Sequence, residues 1–428
     1  MKLWKYVFLL SVCVACSDFF PREAVRVQDK TGKRTAPPVT EKPTIDPQAC
    51  AYGAADTTDS AQRLIWGLGT KSICPSVRTF RHHVAQMRVS VGQLCADPDF
   101  AAYEDDLVQQ WNSTVAVFSR LNGNSLGPLR ELIGESKSTP LLEMYSWPMD
   151  NKFAVYAELI KAHQQKSDYS SRLIAARKGL SAVETLIFDR QALVRPGLSG
   201  ELKPNEIEFN ALSLGERRAA RCLVLRSLLG DVAFYAEDVY QKWSFNGGRY
   251  PIRVLERMRA GQTPMVLNDL SNGIYYLEKV KDFKLGTPLG LNARCLKAKC
   301  PDDVEFLKSG QGLIALRENI ASFSLAMVGG DQQPGFLTLV EERGRADLAQ
   351  TLRARIGNMN QTLAELMLTR KSLRELVVDA DKSRCADVAS PNALCRLYFE
   401  VAETMKIYKS DFMTVMNLAM PEGETDND

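Results

Sequence analysis

Ser181 and Glu184 stand three residues apart in the stretch GLSAVETLIFDR, Gly179 to Arg190. On a helix that spacing puts a hydroxyl and a carboxyl on one face, beside an apolar stripe and not opposite it. A histidine in the first position would make the pair a two-ligand edge for a divalent metal, the arrangement used inside carboxylate-bearing helical bundles. Serine does not replace it, because a neutral hydroxyl is a weak ligand beside an imidazole nitrogen. The other histidines offer no substitute: the chain holds His82, His83 and His163 only, none at a ligand or triad spacing from Glu, Asp or Cys. His82 and His83 are adjacent, so on a helix they point about 100° apart and are expected at the surface or a rim. There is no GxSxG, no phosphate-cradling glycine loop and no HExxH, so common hydrolase and nucleotide chemistries are not expected.

The elements that must position this face are helices. Ala176, Leu180, Val183 and Ile187 recur at steps of four, three and four; Leu107, Trp111, Val115 and Phe118 at four, four and three. The same stripe runs through Leu348, Leu352, Ile356, Met359, Leu363 and Leu366, and again through Val401, Met405, Tyr408, Phe412 and Val415. Alternating strand-like runs are almost absent, which predicts an all-α chain of two packed up-and-down bundles. The breaker SFNGGRYPIR ends one long helical run near Trp243. It divides the chain into a first bundle over 49–248 and a second over 249–428.

Ahead of these, Lys2 and Lys5 precede an apolar run from Tyr6 to Ala15 that is too short to span a bilayer. Residues 1–15 read as a secretory signal, with Val14 and Ala15 leading to Cys16 as a lipidation site. An ordinary cleaved signal beside a chance cysteine is the plainer alternative. Ser17 after the acceptor favours the outer membrane over inner-membrane retention, and acylation would anchor the chain firmly. Residues 16–48, rich in Pro, Lys and Thr, read as a flexible tether.

Composition adds bounds. With 428 residues and 45% hydrophobic ones the chain can build large cores, and a formal charge of +3 with interleaved signs gives no reason to expect nucleic acid. Of the 10 cysteines, removal of Cys13 with the signal and use of Cys16 for lipid leave an even number in an oxidising compartment, which favours disulfides. Cys295 with Cys300 and Cys385 with Cys395 are candidate local staples; the pairing of Cys50, Cys74, Cys95 and Cys222 stays open. Among these remaining cysteines a thiolate metal site lacks a CxxC pair or a neighbouring His.

The stretch GLSAVETLIF resembles the GxHxxE motif of imelysin-like proteins, with Ser181 where the motif has His. Other segments resemble that family in order along the chain. They are YSWPMDN with Trp147 and Pro148, the helix closing at Trp243, VEFLKSGQGLIALRENI with Glu305, Ser309 and Asn319, and QQPGFLTLVEERGRADLAQTL with Pro334 and Gly335. The resemblance runs from about Cys50 to Met420. It implies two helical bundles with a site between them, lined by Ser181, Glu184, Glu305, Ser309, Asn319 and Trp147. It also implies a bacterial envelope location and a link to metallopeptidase activity or iron uptake. Ala315, where an acidic residue belongs, is a second departure.

Three functions follow as expectations. The preferred one is a non-catalytic binding module in the envelope serving iron or other metal acquisition, its partner a small ligand, a metal or an envelope protein. An imelysin-type metallopeptidase would need a bound divalent metal and Glu184 as ligand or general base. A structural or protein-interaction lipoprotein is the third. At the level of residues there is also a plainer reading, in which Glu184 is a hydrogen-bonded carboxyl between helices and Ser181 lets two helices approach. A buried Glu needs a partner, for which Arg172, Arg177 and Arg190 are at hand.

Overall fold

The computed structural model of the protein describes residues 45–54, 56–96, 104–129, 151–165, 179–188, 204–331, 333–387 and 389–421. Cys16, Trp147, Arg172, Arg177 and Arg190 lie outside them. The apolar stripes become helices, and among the described residues strand is confined to a short hairpin, Gly329–Gly330 against Gln333–Pro334. The first half contributes α1 (Ser60–Gly67), α2 (Cys74–Ala96), α3 (Glu104–Asn122), α4 (Asn151–Gln165), α5 (Gly179–Phe188) and α6 (Leu214–Trp243). After the break come α7 (Tyr250–Arg257), α8 (Thr263–Ile274), α9 (Gly312–Val328), α10 (Ala346–Leu368), α11 (Leu373–Asp379) and α12 (Ala393–Ile407).

Local chemistry sets the ends of these helices. Ser213 and Glu216 form a capping box that starts α6, and Ser372 with Glu375 does the same for α11. Each box satisfies two otherwise orphaned N–H groups and contributes on the order of 1 kcal/mol. The break falls where the breaker residues put it: α6 stops at Trp243, Arg249 takes a left-handed φ of 50°, and Pro251 opens α7. Gly247 is required there, since a Cβ on it would sit 2.3 Å from the Gln241 carbonyl oxygen.

The striped residues line the core. Leu107, Trp111, Val115 and Phe118 of α3 are buried, as are Leu348, Leu352, Ile356, Met359, Leu363 and Leu366 of α10. In the last stripe Val401, Met405, Tyr408 and Phe412 are buried, but Val415 is only half-buried and Met416 is inside. The wider π-helical turn at Tyr408–Phe412 lies between them and shifts the register. Helix α6 packs on α2, α4 and α5, while α9 packs on α3 to one side and α10 to the other. All described residues belong to one compact unit.

Among the described residues four disulfides staple the helices. Cys295–Cys300 and Cys385–Cys395 are the two expected local pairs. Cys50–Cys74 ties the segment before α1 to the start of α2, and Cys95–Cys222 joins the end of α2 to α6 across 127 residues of sequence. Among the described residues no helix is long and apolar enough to cross a membrane.

Candidate functional site

Helix α5 is buried almost all round, from Gly179 to Ile187, its polar residues Ser181, Glu184 and Thr185 included. Its C-terminal carbonyls are met by a guanidinium: Arg221 of α6 donates to the oxygens of Leu186 and Ile187. This placement encloses the Ser181–Glu184 face completely, each residue being 0% exposed.

The partner of Glu184 comes from the other half of the sequence. Ser309 donates its backbone N–H (2.8 Å) and its hydroxyl (2.7 Å) to the same carboxyl oxygen, Oε1. The second oxygen, Oε2, is buried with no hydrogen-bond partner among the described residues. The Glu184 carboxyl is raised to about 7: burial pushes it up, the two Ser309 hydrogen bonds and Lys308 partly offset this, and Glu305 adds to the rise. Near neutrality this group is therefore divided between acid and carboxylate.

Ser309 belongs to the connection between the short turn Pro301–Asp303 and α9. An aromatic anchor holds that connection. Phe306 is buried, takes a left-handed φ of 51°, and meets Trp111 of α3 edge-on, with ring centroids 6.1 Å apart. Trp111 in turn meets Phe188 of α5. A left-handed conformation at a bulky residue costs about 1–3 kcal/mol and persists only where the surroundings impose it. Here the aromatic contacts and the Glu184 hydrogen bonds impose it together.

Glu305 lies one residue before this anchor, 2% exposed. Its Oε2 is 2.6 Å from the ammonium of Lys284, on the π-helical turn Val280–Gly286. The same ammonium donates to Asn319 Oδ1 at 2.7 Å and lies 5.0 Å from the Tyr276 ring centroid. The Asn319 amide nitrogen donates to the Ser119 carbonyl of α3, which fixes its oxygen toward Lys284. Burial lowers the Lys284 ammonium, but Glu305 and Tyr276 together outweigh it and the net shift is upward. Close approach of α3 and α9 makes this possible: a Cβ on Gly123 would meet the Ser322 Cβ at 2.6 Å. Ser322 donates to the Arg120 carbonyl and accepts from Asn124.

Neither a family model nor a curated protein matches the sequence. Among solved structures, an imelysin-like protein from Psychrobacter arcticum 273-4 superposes with a TM-score of 0.57 at 14% identity, over 86% of this chain and 99% of that one. The fold is imelysin-like. The chain also superposes on a protein from Parabacteroides distasonis ATCC 8503 described as a putative iron-regulated protein A precursor. Its TM-score is 0.58 at 14% identity, over 84% of this chain and 97% of that one.

Within this imelysin-like fold Ser181, Glu184, Glu305 and Asn319 are buried and Ser309 is half-buried, while Trp147 lies outside the described residues. Glu184 and Ser309 are bonded to each other; Glu305 and Asn319 share Lys284; Ser181 lies one turn before Glu184 on the same helix. Ala315 is fully buried in α9. The three arginines considered as partners of Glu184 lie outside the described residues, and the partner seen is Ser309.

Lys284, Phe306 and Ser119 were not anticipated. A signal for Lys284 existed: it continues the apolar steps Leu277 and Val280, both buried, so a lysine occupies a core position. Nothing in the sequence marked Phe306, because its role depends on a positive φ and on a distant tryptophan. Of the histidines, His82 and His83 are half-buried on α2, and His163 lies 3.8 Å from Glu216.

The donor set does not suit a metal ion. Ser181 offers a neutral hydroxyl, Glu184 Oε1 already accepts two hydrogen bonds, and Glu305 faces an ammonium. Among the described residues no group of three or more His, Cys, Asp or Glu stands close enough to hold one.

Proposed function

We propose that this chain is a non-catalytic, lipid-anchored envelope protein in which the imelysin-like fold serves as a binding module linked to iron or other metal acquisition. One observation carries the reading: the Ser181–Glu184 face is fully buried, with Glu184 engaged by Ser309. A peptidase needs a carboxyl that substrate and water can reach, and here the carboxyl joins α5 to the segment before α9. The link to iron is supported by the fold shared with the iron-regulated precursor, and the envelope location by the signal-like residues 1–15 ahead of Cys16 and by the disulfides.

Assay of the purified mature chain against unstructured peptides, with and without added divalent metals, tests the non-catalytic part. No hydrolysis is expected. Turnover that disappears in Glu184→Gln would establish a peptidase instead. The physiological part is read from transcript and protein levels under iron limitation; indifference to iron would remove the acquisition role.

A further inference from the structure

The imelysin-like resemblance brings with it the expectation of a metal among these carboxylates, and the residues present disagree with it. We propose that Lys284 is the resident cation of the buried cluster, its tethered ammonium holding the place among Glu305, Asn319 and Tyr276 that a metal ion or a cationic ligand would otherwise take. This rests on the non-catalytic reading above.

The geometry is that of a filled cation site. Both members of the Lys284–Glu305 pair are nearly inaccessible, with side chains 5% and 2% exposed. The ammonium faces two oxygens, Glu305 Oε2 at 2.6 Å and Asn319 Oδ1 at 2.7 Å, and lies 5.0 Å from the Tyr276 ring centroid. Asn319 cannot turn its oxygen away without breaking the bond from its nitrogen to the Ser119 carbonyl. A buried ion pair survives only with such supporting hydrogen bonds. The π-helical turn Val280–Gly286 widens the helix at the residue that delivers the ammonium, a place where such turns often carry function.

A divalent ion entering here would have to displace a covalently attached cation, which acts at high effective concentration. It would also leave that cation buried without its counter-charge. On the neighbouring carboxyl, two hydrogen-bond donors from Ser309 already face Oε1 of Glu184.

The test removes the tether and supplies the cation from solution. Lys284→Ala deletes the propylammonium portion of the side chain, so n-propylammonium chloride is titrated into the full mature chain against sodium chloride at equal ionic strength, with the thermal midpoint as readout. A saturable rise in Tm for the variant, absent in the wild type, is expected. A folded variant that responds identically to both salts would overturn the proposal. If Lys284→Ala does not fold in sodium chloride, refolding in propylammonium gives the same reading: recovered native protein supports the proposal, and none overturns it. The double variant Lys284→Met with Glu305→Gln removes both charges and is expected to fold and to ignore propylammonium.

Calorimetric titration of the wild type with Zn²⁺ and Mn²⁺ completes the test. Binding of one ion per chain that is lost in Glu305→Gln overturns the proposal. The two readings fail separately: Glu184-dependent peptide hydrolysis would refute the non-catalytic function, whereas absence of amine rescue would refute only the role of Lys284.

Discussion

Ser309 places both its backbone N–H and its hydroxyl on one oxygen of Glu184, across 125 residues of sequence. The bond connects α5 with the segment that leads into α9, two of the stretches read from the sequence as resembling imelysin-like motifs. Its energetics are set by burial. The acceptor carboxyl lies in a place where the charged form is disfavoured, while its hydrogen bonds favour that form.

Removing the hydroxyl alone tests the contact. Ser309→Ala keeps the backbone donor, and about 1 kcal/mol of stability is expected to be lost when Glu184 is protonated. Above pH 7 the loss is expected to grow to roughly 1.5–3 kcal/mol, because the bond is then to a charged acceptor. Chemical denaturation at two pH values reads this; an equal loss at both would show that Glu184 does not change charge between them.

The pH dependence has a definite sign. Glu184 is raised from 4.5 to about 7 in the folded chain, so between those values the unfolded chain releases a proton that the folded chain keeps. Stability therefore falls as pH rises from about 4.5 through about 7, and this contribution is flat beyond. The full drop is about 3 kcal/mol at roughly 1.4 kcal/mol per pH unit. Subtracting the Glu184→Gln stability profile from the wild-type profile isolates it, and a difference curve that rises with pH would refute the assignment.

Two glycine substitutions are expected to act in opposite directions. Gly123→Ala forces a Cβ to within 2.6 Å of the Ser322 Cβ. The resulting separation of α3 and α9 is expected to cost roughly 1–3 kcal/mol. Gly230→Ala lies inside α6 with nothing within 4 Å of the new methyl and should stabilise by up to about 1 kcal/mol through helix propensity. Thermal melts of both variants suffice.

The disulfides should differ in weight. Cys95–Cys222 closes a span of 127 residues and Cys295–Cys300 one of 5. On loop-closure entropy the long bridge contributes about 3 kcal/mol more. Paired Cys→Ala variants compared by denaturant midpoint measure this; a larger loss at the short bridge would mean that native-state contacts and not chain entropy dominate.

The sequence by itself determined the helices, the break near Trp243 and the two short disulfides, because these depend on periodicity, breakers and close spacing. It also brought Ser181, Glu184, Glu305, Ser309 and Asn319 forward as one set through their resemblance to known motifs. Their relations to one another were decided by the tertiary structure alone. Ser309 meets Glu184, Lys284 meets Glu305, and Phe306 docks on Trp111 in a left-handed conformation. Each of these contacts joins residues far apart in the chain, and its strength comes from exclusion of water. Both conditions arise only once α3, α5 and α9 have packed, so no local pattern of residue types could encode them.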